Sequence, residues 1–108
     1  MTDSIQKQIG KVVQENDIVL FMKGTPEFPQ CGFSQRVASI MASYEIPFAA
    51  VNVLLDDSVR EGIKVFSDWP TIPQLYIKGE FVGGCDIVSE MQESGELSKL
   101  LAPLKQNG

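Results

Sequence analysis

The sequence predicts an α/β fold: a four-stranded mixed sheet flanked by helices on both faces, in one domain over residues 1–108 with its core from about 5 to 104. Three observations carry this. Ile18-Val19-Leu20-Phe21-Met22 is an unbroken apolar run of strand length, the pattern of a strand covered on both faces. Segments on either side of it place apolar residues at helical spacing. Near the end of the chain, Gln74-Leu75-Tyr76-Ile77 and Phe81-Val82 flank Lys78-Gly79-Glu80, the pattern of a hairpin with a glycine-containing turn. A chain of 108 residues buries roughly 65% of the surface its extended form exposes, and a 44% apolar content fills such a core.

Taken in order, Ile5, Ile9, Val12 and Val13 form the stripe of a first helix, with Thr2 or Ser4 as its N-cap. Asn16-Asp17 breaks the pattern, and the apolar run follows as a central strand. Lys23 to Gln30 is a loop, because two prolines and a glycine exclude regular structure there, and it delivers Cys31. Phe33, Val37, Ile40, Met41 and Tyr44 share one face of a second helix that Pro47 stops. Phe48 to Val53 is a second strand, and Asp56 or Asp57 caps a third helix with Val59, Ile63 and Phe66 inward. After the hairpin, Asp86 caps a fourth helix through Ile87, Val88 and Met91. Gly95 interrupts it, and Leu97, Leu100, Leu101 and Leu104 form a last amphipathic piece. A βαβ half followed by a hairpin and terminal helices is the thioredoxin-like layout. A dinucleotide-binding fold would place G-x-G-x-x-G after the first strand, where this chain has Lys23-Gly24-Thr25-Pro26-Glu27.

Nine Lys and Arg against 14 Asp and Glu leave a net charge of −5, with the basic residues scattered singly. Nucleic acid and anionic membrane are therefore excluded as main partners. The absence of histidine removes Ser-His-Asp and Cys-His catalysis and every histidine metal ligand. The longest apolar stretch falls far short of the ~20 residues that cross a bilayer. The opening Met1-Thr2-Asp3-Ser4-Ile5-Gln6-Lys7 has neither an apolar signal region nor an Arg-rich amphipathic run, and two sparse cysteines fit a reducing compartment. The expected location is cytoplasmic.

Cysteine is what remains reactive. Cys31 sits where a loop hands over to a helix, near unsatisfied N–H groups and the positive end of the helix dipole, which favour a thiolate; Lys23 adds a positive charge. At this point an inert Cys31 and an ordinary solvated Lys23 stand as the alternative. Three places on stands Ser34, so Cys31-Gly32-Phe33-Ser34 forms no disulfide within itself, and any mixed disulfide on Cys31 is resolved by an outside thiol. Ser34 itself reads as a residue that satisfies backbone groups in the first helical turn. Trp69, Phe28 and Phe33 are either recognition residues or packing, and Gly83-Gly84 reads as a place where backbone approaches a ligand.

Cys31-Gly32-Phe33-Ser34, preceded by Lys23-Gly24-Thr25-Pro26-Glu27 and followed by Trp69-Pro70-Thr71-Ile72-Pro73-Gln74-Leu75-Tyr76 and Gly83-Gly84-Cys85-Asp86, resembles a monothiol glutaredoxin of the CGFS type, single-domain. Four motifs in this order and spacing are highly specific, and the match runs from about Ile5 to Leu104. The resemblance implies a glutathione-dependent homodimer, bridged by a 2Fe-2S cluster, that passes the cluster to acceptor iron–sulfur apoproteins; a BolA-like protein is a further partner of the family. Ligand counting agrees: such a cluster takes four thiolate-type ligands, and one chain offers one credible thiolate.

The resemblance also assigns residues. Cys31 is the cluster ligand, shared with the dimeric partner, and the redox-active thiol. Lys23 and Arg60 match the lysine and arginine that hold the glycyl carboxylate of glutathione. Ile72, before the Pro73 that is cis in this family, pairs through its backbone with the cysteinyl part. Cys85 and Asp86 open a helix whose N–H groups suit the γ-glutamyl carboxylate, with the Asp86 carboxylate facing the ammonium. Many relatives have an aromatic residue in place of Ile72, which leaves backbone pairing intact. Cys85 reads as a spectator with occasional disulfide formation. The rival functions are an enzyme that reduces glutathione mixed disulfides through Cys31, and an α/β interaction domain without chemistry.

Overall fold

The computed structural model of the protein describes residues 2–105. The expected domain ends at residues 1 and 108 lie outside the described residues. Helix α1 (Thr2–Glu15) leads into strand β1 (Ile18–Met22), helix α2 (Gly32–Ala42) and strand β2 (Ala49–Asn52). A 3-10 turn (Val53–Leu55) joins β2 to helix α3 (Asp57–Ser67), and strands β3 (Gln74–Ile77) and β4 (Glu80–Gly83) precede helices α4 (Cys85–Ser94) and α5 (Glu96–Leu101). The sheet runs β2-β1-β3-β4, with β1 parallel to β2 and antiparallel to β3, and β3 antiparallel to β4. Among the described residues no helix is long and apolar enough to cross a membrane.

The apolar run of β1 is explained by its place in the sheet. Every residue from Ile18 to Met22 is buried. Ile18, Leu20 and Met22 pack with Val37, Met41, Leu75, Val88, Leu97 and Leu101 on the face that α2, α4 and α5 cover. Val19 and Phe21 join Ile9, Val13, Ile63 and Tyr76 on the face that α1 and α3 cover. Alternate side chains of a strand point to opposite faces, so a strand between two helical layers needs apolar residues at both parities. Each such side chain contributes about 1.5–3 kcal/mol relative to leaving it in water.

Four local expectations are corrected. Thr2 and Ser4 both lie inside α1, so neither stands before it as the expected N-cap. The second strand is shorter than Phe48 to Val53, because the chain turns into the 3-10 segment, where the Asn52 side chain accepts the Leu54 N–H. Phe33 is 64% exposed and does not share the inward face of Val37, Ala38 and Met41. Gly84, not Asp86, is the N-cap of α4, and Asp86 lies in the first turn without a cap hydrogen bond. Asp56 does cap α3, accepting the Ser58 N–H at 2.8 Å. The hairpin closes on Lys78 and Gly79 alone, both at positive φ, the two-residue turn whose twist matches the flanking strands.

Candidate functional site

Strand β1 ends at the rim of a cleft, and the loop that follows it delivers Cys31 there. The Lys23 to Gln30 loop is tied at its base: the Gln30 N–H donates to the Lys23 carbonyl at 2.9 Å, and Gly24 and Pro29 form an isolated bridge. Gly24 has φ 92°, and a Cβ there would stand 2.6 Å from the Phe28 carbonyl oxygen, so only glycine closes the loop this way. The Gly24 N–H donates to Asn52 Oδ1 at 3.0 Å, which fastens the loop to the end of β2. From the other side, the Lys23 N–H donates to Ser34 Oγ at 3.0 Å. The expected role of Ser34 in satisfying backbone is met, but across the loop rather than within its own turn. Its hydroxyl is fully buried.

Cys31 is the N-cap residue of α2, in extended backbone conformation and partly exposed. Its side chain makes no cap hydrogen bond of full geometry. Even so, the thiol is held below its ordinary value. The Ser34 N–H is the main cause; burial opposes it, and the Phe33 N–H, the charge of Lys23 and the Ser34 hydroxyl add to the lowering. The Ser34 and Phe33 N–H groups are free donors of the α2 N-terminus, and with the Lys23 charge they make the setting of a reactive thiolate rather than an inert core cysteine.

A cleft of about 490 Å³ opens beside the sulfur, lined by Lys23, Cys31, Arg60, Ile72, Cys85 and Asp86 among others. All six residues singled out in the sequence meet there, from five different segments. Trp69 and Phe33 also line it, whereas Phe28, 75% exposed, is not part of the lining. The Ile72–Pro73 bond is cis. Gly84 lines the cleft with a Cβ position 3.3 Å from the Pro73 carbonyl oxygen. Gly83 is needed for a different reason than a ligand: at φ 151° its Cβ would meet that of Ile87 at 2.7 Å.

Lys64 was not singled out in the sequence, yet it lines the cleft one helical turn beyond Arg60, its ammonium 3.3 Å from Glu61. The i, i+4 spacing of Arg60 and Lys64 is the signal that could have found it. The cleft thus gathers three cations against one carboxylate in a chain whose net charge is −5. Cys85 stands at the head of α4, also partly exposed, and extends the lining toward a shallower groove between α2 and α4 where Arg36 Nε donates to Ser89 Oγ at 2.8 Å. Among the described residues no three His, Cys, Asp or Glu side chains group so as to hold a metal ion.

A family model described as Glutaredoxin matches residues 18–82. The probable monothiol glutaredoxin 2 of Rickettsia typhi is 56% identical over 95 residues, covering 88% of this chain and 86% of that protein. The monothiol glutaredoxin-4 of Schizosaccharomyces pombe is 50% identical over 101 residues, covering 94% of this chain but 41% of that protein, so the chain spans less than half of that relative's length. Among solved structures, reduced apo GrxS14 of poplar superimposes with a TM-score of 0.80 at 51% identity, over 93% of this chain and 92% of that one.

Proposed function

Because the chain belongs to the glutaredoxin family, in its monothiol branch, we propose that it binds glutathione in the Cys31 cleft and, as a pair of chains, carries a 2Fe-2S cluster to acceptor apoproteins. The observation that carries this reading is the set of groups converging on the cleft. Glutathione has two carboxylates, one ammonium and a central thiol. Lys23 and Arg60 suit its glycyl carboxylate, with Lys64 a third cation at the same wall. The first-turn N–H groups of α4, at Cys85 and Asp86, suit the γ-glutamyl carboxylate, and the Asp86 carboxylate suits the ammonium. The Ile72 backbone pairs with the cysteinyl unit, which brings that thiol beside Cys31.

The cluster is cargo, and its ligand set follows from the donors present. It takes four thiolate-type ligands. One chain supplies Cys31, whose setting favours the thiolate. Two chains and two glutathiones supply four. A BolA-like protein standing in for one chain would have to supply that chain's ligand itself. A cytoplasmic setting belongs to this proposal, supported by both cysteines being free thiols.

The second reading is an oxidoreductase, favoured by the lowered Cys31 pKa. Cys31 thiolate would attack the glutathione sulfur of a mixed disulfide, that S–S bond would break, and the released protein thiolate would take up a proton. A second glutathione thiolate would then attack the glutathione on Cys31, releasing oxidised glutathione and the Cys31 thiolate. Anaerobic reconstitution with iron, sulfide and glutathione tests the first reading. A visible charge-transfer spectrum with about one cluster per two chains is expected, and a colourless protein that turns over mixed disulfides rapidly would replace the carrier by the enzyme.

A further inference from the structure

Gln74 is wholly buried, the first residue of β3, on the sheet face that carries Phe21 and Tyr76. An amide among aromatic rings costs stability unless every polar atom is paired, whereas an apolar residue of the same size would be tolerated. Here every polar atom is paired. Nε2 donates to the carbonyls of Trp69 at 3.2 Å and Thr71 at 3.1 Å, and Oε1 accepts from Tyr76 Oη at 3.2 Å. These partners fix which way the amide points: reversed, its oxygen would face two carbonyl oxygens. Burial pushes the Tyr76 phenol up to about 12, against a hydrogen bond with Ser67 that lowers it, so Tyr76 remains a donor at neutral pH. Ser67 Oγ in turn accepts the Trp69 N–H at 3.1 Å and donates to the Ile63 carbonyl at 2.9 Å.

The segment held in this way is one wall of the cleft, from Trp69 to Pro73. Pro70 and Pro73 have no N–H, so this stretch cannot be held by a regular backbone ladder and depends on side chains reaching into it. We propose that Gln74 is a positioning residue of the cleft, holding from inside the fold the Trp69–Ile72 wall on which the peptide backbone of glutathione pairs. This rests on the reading of the cleft as the glutathione site. Gln74 touches no ligand. It acts through the two carbonyls that bracket Pro70, and Tyr76 acts through Gln74.

Trp69 is the chain's single tryptophan, so its fluorescence reports on this wall directly. The experiment compares native protein with Gln74→Met and Tyr76→Phe, each shown folded by circular dichroism. It measures glutathione affinity by calorimetry, acrylamide quenching of Trp69, and the pH profile of Cys31 alkylation. Gln74→Met keeps the volume and removes both donors; glutathione affinity should fall about tenfold and Trp69 should become easier to quench. Tyr76→Phe leaves Gln74 Oε1 unpaired and loosens the amide, and affinity should fall about threefold. The Cys31 profile should stay at its native position, since the hydrogen bonds and the charge that lower it lie in α2 and Lys23. Native affinity in folded Gln74→Met, or a loss accompanied by a moved Cys31 profile, overturns the proposal. Should Gln74→Met not fold, Tyr76→Phe decides by the same readouts. Native protein that bound no glutathione would overturn the reading of the cleft instead, while unchanged or increased Trp69 quenching would still decide whether Gln74 holds the wall.

Discussion

The backbone N–H of Lys23 donates to Ser34 Oγ at 3.0 Å, so the residue that follows β1 and the residue three places after Cys31 are held together from beneath the thiol. In a C-x-x-C sequence the second sulfur would occupy this position. Here a hydroxyl locks the loop and leaves Cys31 as the only thiol of the motif.

Ser34→Ala should therefore have two separable effects. Removing the acceptor leaves the Lys23 N–H unpaired in a partly buried place, and stability should drop by about 1–2 kcal/mol in urea denaturation. Losing the hydroxyl, one of the lesser causes of the lowered Cys31 pKa, should move the pH–rate profile of Cys31 alkylation upward. The sign follows from the thiolate being the nucleophile: a raised pKa leaves less thiolate at a given pH. The shift should be small, since the main cause, the Ser34 N–H, is retained.

Asn52→Ala tests the other tether of the loop. Asn52 Oδ1 accepts from Gly24 N–H and Leu54 N–H, both at 3.0 Å. Its loss should destabilise the protein by about 1–2 kcal/mol, and proteolysis should find the Lys23 to Gln30 loop before any strand. Equal stability in the variant would mean that the Gly24–Pro29 bridge and the Lys23–Ser34 hydrogen bond hold the loop without Asn52.

How much of this was legible before the structure depends on whether a residue acts locally. The apolar run of β1, the stripe of α1 and the glycine-containing hairpin turn follow from short-range periodicity and turn chemistry, and they stand where the pattern put them except that Glu80, expected in the turn, begins β4. Phe33 misled because it shares helical spacing with Val37 and Met41, yet the first turn of α2 projects past the edge of the core into the cleft. Asp86 misled because glycine also serves as an N-cap, and two residues of offset move the carboxylate from cap to cleft wall. The convergence of Lys23, Arg60, Ile72 and Asp86 came from resemblance, since no spacing rule brings four segments to one sulfur. Gln74 was invisible for the opposite reason: a glutamine in a strand carries no mark of the loop carbonyls it meets.

The two cysteines should part company under substitution. Both line the cleft, and Cys31 is the one that stands at the N-cap of α2 beside Lys23 and Ser34. Cys31→Ser should abolish cluster retention after anaerobic reconstitution, and Cys85→Ser should keep most of it, as read by visible absorbance and bound iron. The reverse pattern would exchange the ligand assignment.

Reduction of a glutathione mixed disulfide should be slow. With serine at position 34, the Cys31–glutathione intermediate is resolved only by a second glutathione in a bimolecular step. In a coupled assay the rate should rise in proportion to glutathione concentration. Saturation at low glutathione, with rates equal to a dithiol relative, would point to Cys85 as an internal resolving thiol.

Assembly gives the most demanding test, because three quantities must change together. In the proposed carrier one chain would contribute one cluster ligand, Cys31, and among the described residues no three His, Cys, Asp or Glu side chains group so as to hold a metal ion. A centre that binds only the paired state draws the association equilibrium toward it by mass action. Apoprotein should therefore be mainly monomeric, and loaded protein dimeric with about one cluster and two non-covalent glutathiones per two chains. Stripping glutathione removes half of the ligands, so iron release and dissociation should follow the same time course. Light scattering, iron analysis and thiol quantification on one anaerobic sample measure all three. A monomer that kept its cluster after glutathione was removed would sink the bridging arrangement, since Cys31 alone cannot supply four ligands.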